Sequence, residues 1–206
     1  MGNTPLLGAC EDGSYHESLV ELLDHPKIDM NKRNVLNMSP LNAACRVSNY
    51  AAVALLLSKG RFKGLSMRFV SDALFVACEK GDARLVRCLL KYDGIDVNER
   101  RAMGKAPMHV ACCIEGDDAN EVLEALMDAP GVDLNICDQH QETPLHYCVI
   151  KQRADLAAML LKAGAGESVR DGNDLTPVLL AEKYCMQGMI EVFYSIGRYS
   201  DTEGSD

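Results

Sequence analysis

The tetrapeptide Thr143-Pro144-Leu145-His146 has weaker copies along the whole chain, and their near-constant spacing limits the fold more than any other feature. Copies begin at Thr4 (TPLL), Ser39 (SPLN), Asp72 (DALF), Ala106 (APMH), Thr143 and Thr176 (TPVL), separated by 35, 33, 34, 37 and 33 residues. A period of this size belongs to stacked supersecondary units, each of which buries its apolar face only against its neighbours. The spacing predicts one continuous array over residues 1–199, followed by a short acidic, disordered tail at 200–206.

Within each unit the same local signals repeat. Thr4, Ser39, Thr143 and Thr176 are hydroxyl residues able to cap a helix, and each is followed by Pro. Proline is harmless at the first helical position, where its missing N–H would have no partner anyway. Small residues such as Ala43-Ala44-Cys45 and Val110-Ala111-Cys112 come next and let a short first helix approach its neighbours closely. After a polar or Gly-containing turn, apolar runs such as Leu85-Val86-Arg87-Cys88-Leu89-Leu90 and Leu156-Ala157-Ala158-Met159-Leu160-Leu161 have the spacing of a second, amphipathic helix. Ile28-Asp29-Met30-Asn31, Ile95-Asp96-Val97-Asn98 and Val132-Asp133-Leu134-Asn135 then predict projecting, hairpin-like turns, because Asp and Asn side chains bond nearby backbone. The unit is helix, turn, helix, loop.

Composition removes several classes of function. A formal charge of −9 disfavours general affinity for nucleic acid or anionic membranes. The longest apolar run, Ala51 to Leu57, is far below the roughly 20 residues of a membrane span. Nine cysteines lack any C-x-x-C pair. Cys10, Cys45, Cys78 and Cys112 each lie six residues after a motif start, which reads as one repeated packing position rather than a metal site or a disulfide framework. Thiol use of this kind fits a reducing compartment. No nucleophile elbow, zinc-protease helix motif, phosphate loop or dinucleotide fingerprint occurs, so no catalytic residue, metal or cofactor is assigned.

In combination, the TPLH segment, Asp96-Val97-Asn98 and Lys162-Ala163-Gly164-Ala165 resemble the ankyrin repeat family over residues 3 to 197. The resemblance implies an all-α ankyrin-repeat solenoid of about six helix-turn-helix units joined by hairpin-like loops, with a concave face of hairpin tips and first helices. It further implies a non-enzymatic protein-binding module or scaffold, monomeric, in the cytoplasm or nucleus. The alternative is a stand-alone inhibitor or regulatory subunit of an enzyme or transcription factor. His109 and His146, at the fourth motif position, would hold neighbouring loops by hydrogen bonding. Asn98 is the candidate for asparaginyl hydroxylation, against a simpler role in stabilising its turn. Two departures stand out: Asp72-Ala73 replaces Thr-Pro after the irregular stretch Arg61 to Val70, predicting a distorted hairpin there, and extra residues sit near Asp117 to Asn120 and Pro130-Gly131.

The family register also places the candidate binding residues. Tips contribute Arg33, Val35 and Leu36, then Arg68 and Phe69, then Met103, then His140. The ends of first helices contribute Arg46, Lys80, Ile114, Lys151 and Tyr184. Apolar residues where a solvated loop would be polar, beside basic residues in an acidic protein, predict a groove for a protein or peptide that bears acidic residues.

Overall fold

The computed structural model describes residues 3–196, apart from the side chains of residues 60–63. The predicted acidic tail at 200–206 lies outside the described residues. Among those residues there is no β-strand. Six helix pairs follow one another: α1 (Pro5–Glu11) with α2 (His16–Asp24), α3 (Pro40–Arg46) with α4 (Tyr50–Lys63), α5 (Met67–Glu79) with α6 (Ala83–Leu90), α7 (Pro107–Ala111) with α8 (Asp118–Met127), α9 (Pro144–Ile150) with α10 (Ala154–Lys162), and α11 (Pro177–Lys183) with α12 (Gln187–Ile196). They divide into two compact units, Met1–Asp96 and Val97–Asp206, of three pairs each. Within each unit, first helices pack on first helices and second on second: α1, α3 and α5 in one, α7, α9 and α11 in the other.

The caps work as the sequence predicts. Thr4, Ser39, Thr143 and Thr176 accept hydrogen bonds from the backbone N–H three residues on, at 3.2, 3.2, 3.4 and 3.3 Å. Proline occupies the first turn of α1, α3, α7, α9 and α11. Most pairs are joined by three residues whose middle one is left-handed: Ser48, Gly81, Gln152 and Cys185. The fourth pair instead uses the longer stretch 112–117, which absorbs the long repeat spacing.

The third pair departs from expectation. In place of a distorted hairpin, α4 runs to Lys63 and α5 begins at Met67, five residues before the motif start at Asp72. The cause is Ala73. Proline at that position would clash with the preceding turn and end the helix there, whereas alanine lets it extend backward. Phe69 therefore lies within α5 at 8% exposure and is core, not an exposed tip.

The cores are Leu, Ala, Val and Met with thiols between them. Cys10, Cys45, Cys78 and Cys112 are all fully buried, as their shared register predicts. Burial pushes Cys10 and Cys45 up to about 12 and Cys78 still higher. The thiolate is the nucleophilic form, so these are packing residues and not reactive centres. No helix among the described residues is long and apolar enough to cross a membrane.

Candidate protein-binding surface

Four of the five loops between helix pairs close by one recurring backbone bond. It joins Asn34 N–H to Met38 C=O, Arg101 to Lys105, Asp138 to Glu142 and Asp171 to Leu175. Three of the four opening residues are Asn or Asp, and their side-chain oxygens clamp the turn from inside. Asn34 accepts from Leu36 and Met38 N–H, Asp138 from His140 and Glu142, and Asp171 from Asn173 and Leu175, at 2.8–3.0 Å. Asp138 also accepts from the Tyr147 hydroxyl at 3.0 Å; burial first, and this bond second, raise the phenol well above its ordinary range. The bonds from Leu175 and Asn173 N–H hold Asp171 below the usual carboxylate range against the opposing and larger single effect of burial. The fourth residue of each turn is left-handed: Asn37, Gly104, Gln141 and Asp174.

The turn at 101–105 has Arg where the others have Asn or Asp, and here Met103 is left-handed as well, at φ 61°. Its side chain is 51% exposed. The tips in this half of the chain are joined: Gln139 N–H donates to Met103 C=O at 3.0 Å, and Gly172 N–H to His140 C=O at 2.7 Å. A Cβ on Gly104 would lie 2.7 Å from Gln139 N, so only glycine fits that contact.

Two ladders of side chains lock successive repeats. In the first, His109 Nδ1 accepts from Ala106 N–H at 3.0 Å, and Nε2–H donates to Glu142 C=O at 3.0 Å. His146 repeats this with Thr143 N–H at 3.2 Å and Leu175 C=O at 3.0 Å. Nδ1 must stay bare, and burial accordingly lowers both imidazoles below the usual histidine range despite the favourable carbonyl contacts. In the second ladder, Asn31 donates to Gly64 C=O and accepts from Ser66 N–H, while Asn98 does the same with Gly131 and Asp133. Asn135 accepts from Gly166 N–H at 2.6 Å. Asn98 thus holds the next repeat's loop rather than only its own turn. Hydroxylation at its Cβ would have to act on a side chain whose amide oxygen and nitrogen are both engaged.

The predicted site residues separate into two sets. Val35 (76%), Leu36 (71%) and Tyr184 (60%) project into solvent as expected. Arg46, Arg68, Lys80, His140 and Lys151 are exposed, and Ile114 is half-buried. Several cations, however, are already engaged. Arg33 pairs with Asp72 at 3.7 Å and lies 4.6 Å over the Phe69 ring. Lys80 donates to the carbonyls of Cys45 and Arg46 and to Ser48 Oγ, capping the end of α3. Arg153, which the sequence reading passed over, holds the 112–117 connection by donating to Ile114 C=O at 2.6 Å and Gly116 C=O at 3.0 Å. Its signal was a cation directly before a second helix. Val47 (50%) and Ile150 (44%) extend the apolar exposure at the ends of first helices.

The ankyrin repeat family profile matches residues 140–172, the segment that contains TPLH, α9 and α10. That segment carries an ankyrin repeat, and the chain as a whole is similar to ankyrin-repeat proteins. It is similar to the putative ankyrin repeat protein YahD of Escherichia coli K12, at 25% identity over 71% of the chain and 73% of YahD. It is also similar to the target of rapamycin complex 2 subunit AVO2 of Saccharomyces cerevisiae, at 30% identity over 55% of the chain and 26% of AVO2. The solved ankyrin-repeat domain of Bcl-3 superposes with a TM-score of 0.83 at 24% identity, covering 95% of this chain and 87% of that one. The chain spans only 10% to 28% of several longer curated relatives. Ankyrin-repeat domains are generally non-enzymatic protein–protein interaction modules.

Proposed function

We propose that the chain binds a partner protein through its loop tips and the ends of its first helices, with apolar anchors as the main contribution. The observation that carries this reading is exposure of large apolar side chains at those positions. Val35, Leu36 and Val47 do so in the first half, Met103, Ile150 and Tyr184 in the second. Leaving such groups in water costs about 25 cal/mol per Å2 of apolar surface, which a partner recovers by covering them. The clamped tips fix these anchors before binding, so less conformational freedom is lost on association. A role inside a larger assembly is in keeping with AVO2, named as a complex subunit.

The partner presents apolar side chains flanked by acidic ones. Lys32 and Arg46 in the first half, and Arg100 and Lys151 in the second, are exposed beside the anchors. Arg33 and Lys80 contribute less, being committed to Asp72 and to the end of α3. The test compares proteins captured from the source cell by the native chain with those captured by Val35→Ser/Leu36→Ser and by Met103→Ser/Tyr184→Ser. A partner lost from at least one variant, with far-UV CD melts unchanged, supports the reading. A partner retained by both refutes it.

A further inference from the structure

The first helix pair holds an open groove that the tip surface does not use. In the second pair, α3 has helices on both sides, α1 and α5, and its small residues Ala43 and Ala44 are fully buried. Their counterparts, four and five residues after the capping hydroxyl of α1, are Gly8 and Ala9. Here they line a groove of about 620 Å3 between α1 and α2, together with Pro5, Tyr15 and Leu22. A Cβ placed on Gly8 would meet no atom within 4 Å, so this wall opens on real space. Tyr15 stands beside it at 52% exposure.

Charge narrows the occupant. Residues 1–26 contain five carboxylates, Glu11, Asp12, Glu17, Glu21 and Asp24, and no Lys or Arg. Asp24 is neutralised by Lys59 at 2.5 Å, while exposed Glu11 and Asp12 stand on the groove's edge. Small residues at a helix surface admit another helix closely, as α3 shows within the same stack. We propose that this groove seats a basic amphipathic helix of a partner, its apolar stripe lying between α1 and α2 and its Lys or Arg side chains meeting Glu11 and Asp12. The preference is opposite in sign to that of the tips.

The test uses the full chain and a fluorescent synthetic helix with Leu at every third or fourth position and Lys at the others, read by anisotropy at low salt. A matched helix with Glu in place of Lys is the control. Gly8→Leu fills the groove and favours the helix, so the melting temperature should hold or rise while affinity falls at least about tenfold. Glu11→Gln should weaken binding about two- to fivefold and reduce its salt dependence. Equal binding of the Glu helix, or affinity unaffected by Gly8→Leu, overturns the proposal. So does self-association in sedimentation that Gly8→Leu abolishes, since the groove would then belong to a second copy of the chain.

Discussion

Replacing Gly104 by alanine tests whether the tips are built as a rigid ladder. The residue sits at φ +74°, and an added Cβ would lie 2.7 Å from Gln139 N and 3.1 Å from Asp138 C, both backbone atoms. Left-handed backbone costs a non-glycine residue about 1 kcal/mol. Relief of the clash must separate the two turns and break the bond from Gln139 N–H to Met103 C=O at 3.0 Å, for about 1 kcal/mol more. Residual strain brings the expected loss to about 3 kcal/mol. Gly164 supplies the control: it is also left-handed, at φ +93°, but a Cβ there meets nothing within 4 Å, so Gly164→Ala should cost only about 1 kcal/mol. Urea titration of both variants, with amide exchange at Gln139 as the local readout, gives the difference. If Gly104→Ala costs no more than Gly164→Ala, or exchange at Gln139 is unchanged, the tips are not coupled in this way.

Two further perturbations probe the ladders and the irregular third pair. His109 and His146 are held below their unfolded-state value of about 6.5, so the unfolded chain binds more protons under mild acid. Their contribution to stability is complete above about pH 6.5 and is lost as pH falls toward the folded-state values. The urea midpoint should fall on acidification, and the double variant His109→Gln/His146→Gln should have a flatter profile; an equally steep variant would remove the imidazoles from the account. Restoring the motif in the third pair with Ala73→Pro should destabilise by about 3 kcal/mol, because proline would fall inside α5. A denaturant midpoint raised by that substitution would show that the motif, not the long helix, is the preferred structure.

Much of this was legible in the sequence because capping and packing are local. Hydroxyl, proline and small residues at fixed offsets specify where a first helix starts and how closely it stacks, and Thr143-Pro144 or Cys45 could be placed without coordinates. The tips were less legible. Asn34, Asp138 and Asp171 share a position and one task, yet clamping becomes visible only when the side-chain oxygen is seen beneath two backbone N–H groups. Asn98 was legible as a turn residue but not as a bridge, since its partners at Gly131 and Asp133 lie one repeat away. Basic residues misled for a related reason. A sequence counts the charge of Arg33 or Lys80 but not the Asp72 carboxylate or the helix end that satisfies it.

The third pair shows how one missing residue relocates a surface. With alanine at 73, α5 extends to Met67, the loop before it shrinks to Gly64-Leu65-Ser66, and the clamped turn seen at Asn34 has no counterpart. Phe69, which a regular register would place on a tip, instead packs in the core beneath Arg33. The guanidinium then spans from the preceding tip to α5, contacting both the Phe69 ring and Asp72. Apolar surface that would have served a partner is spent on joining two repeats of the same chain. What remains exposed nearby is Val35 and Leu36, carried on a turn held by Asn34 and backed by this contact. Loss of a tip at the third pair therefore reinforces the one before it, and makes Val35 and Leu36 the anchors whose removal should cost binding most in that half of the chain.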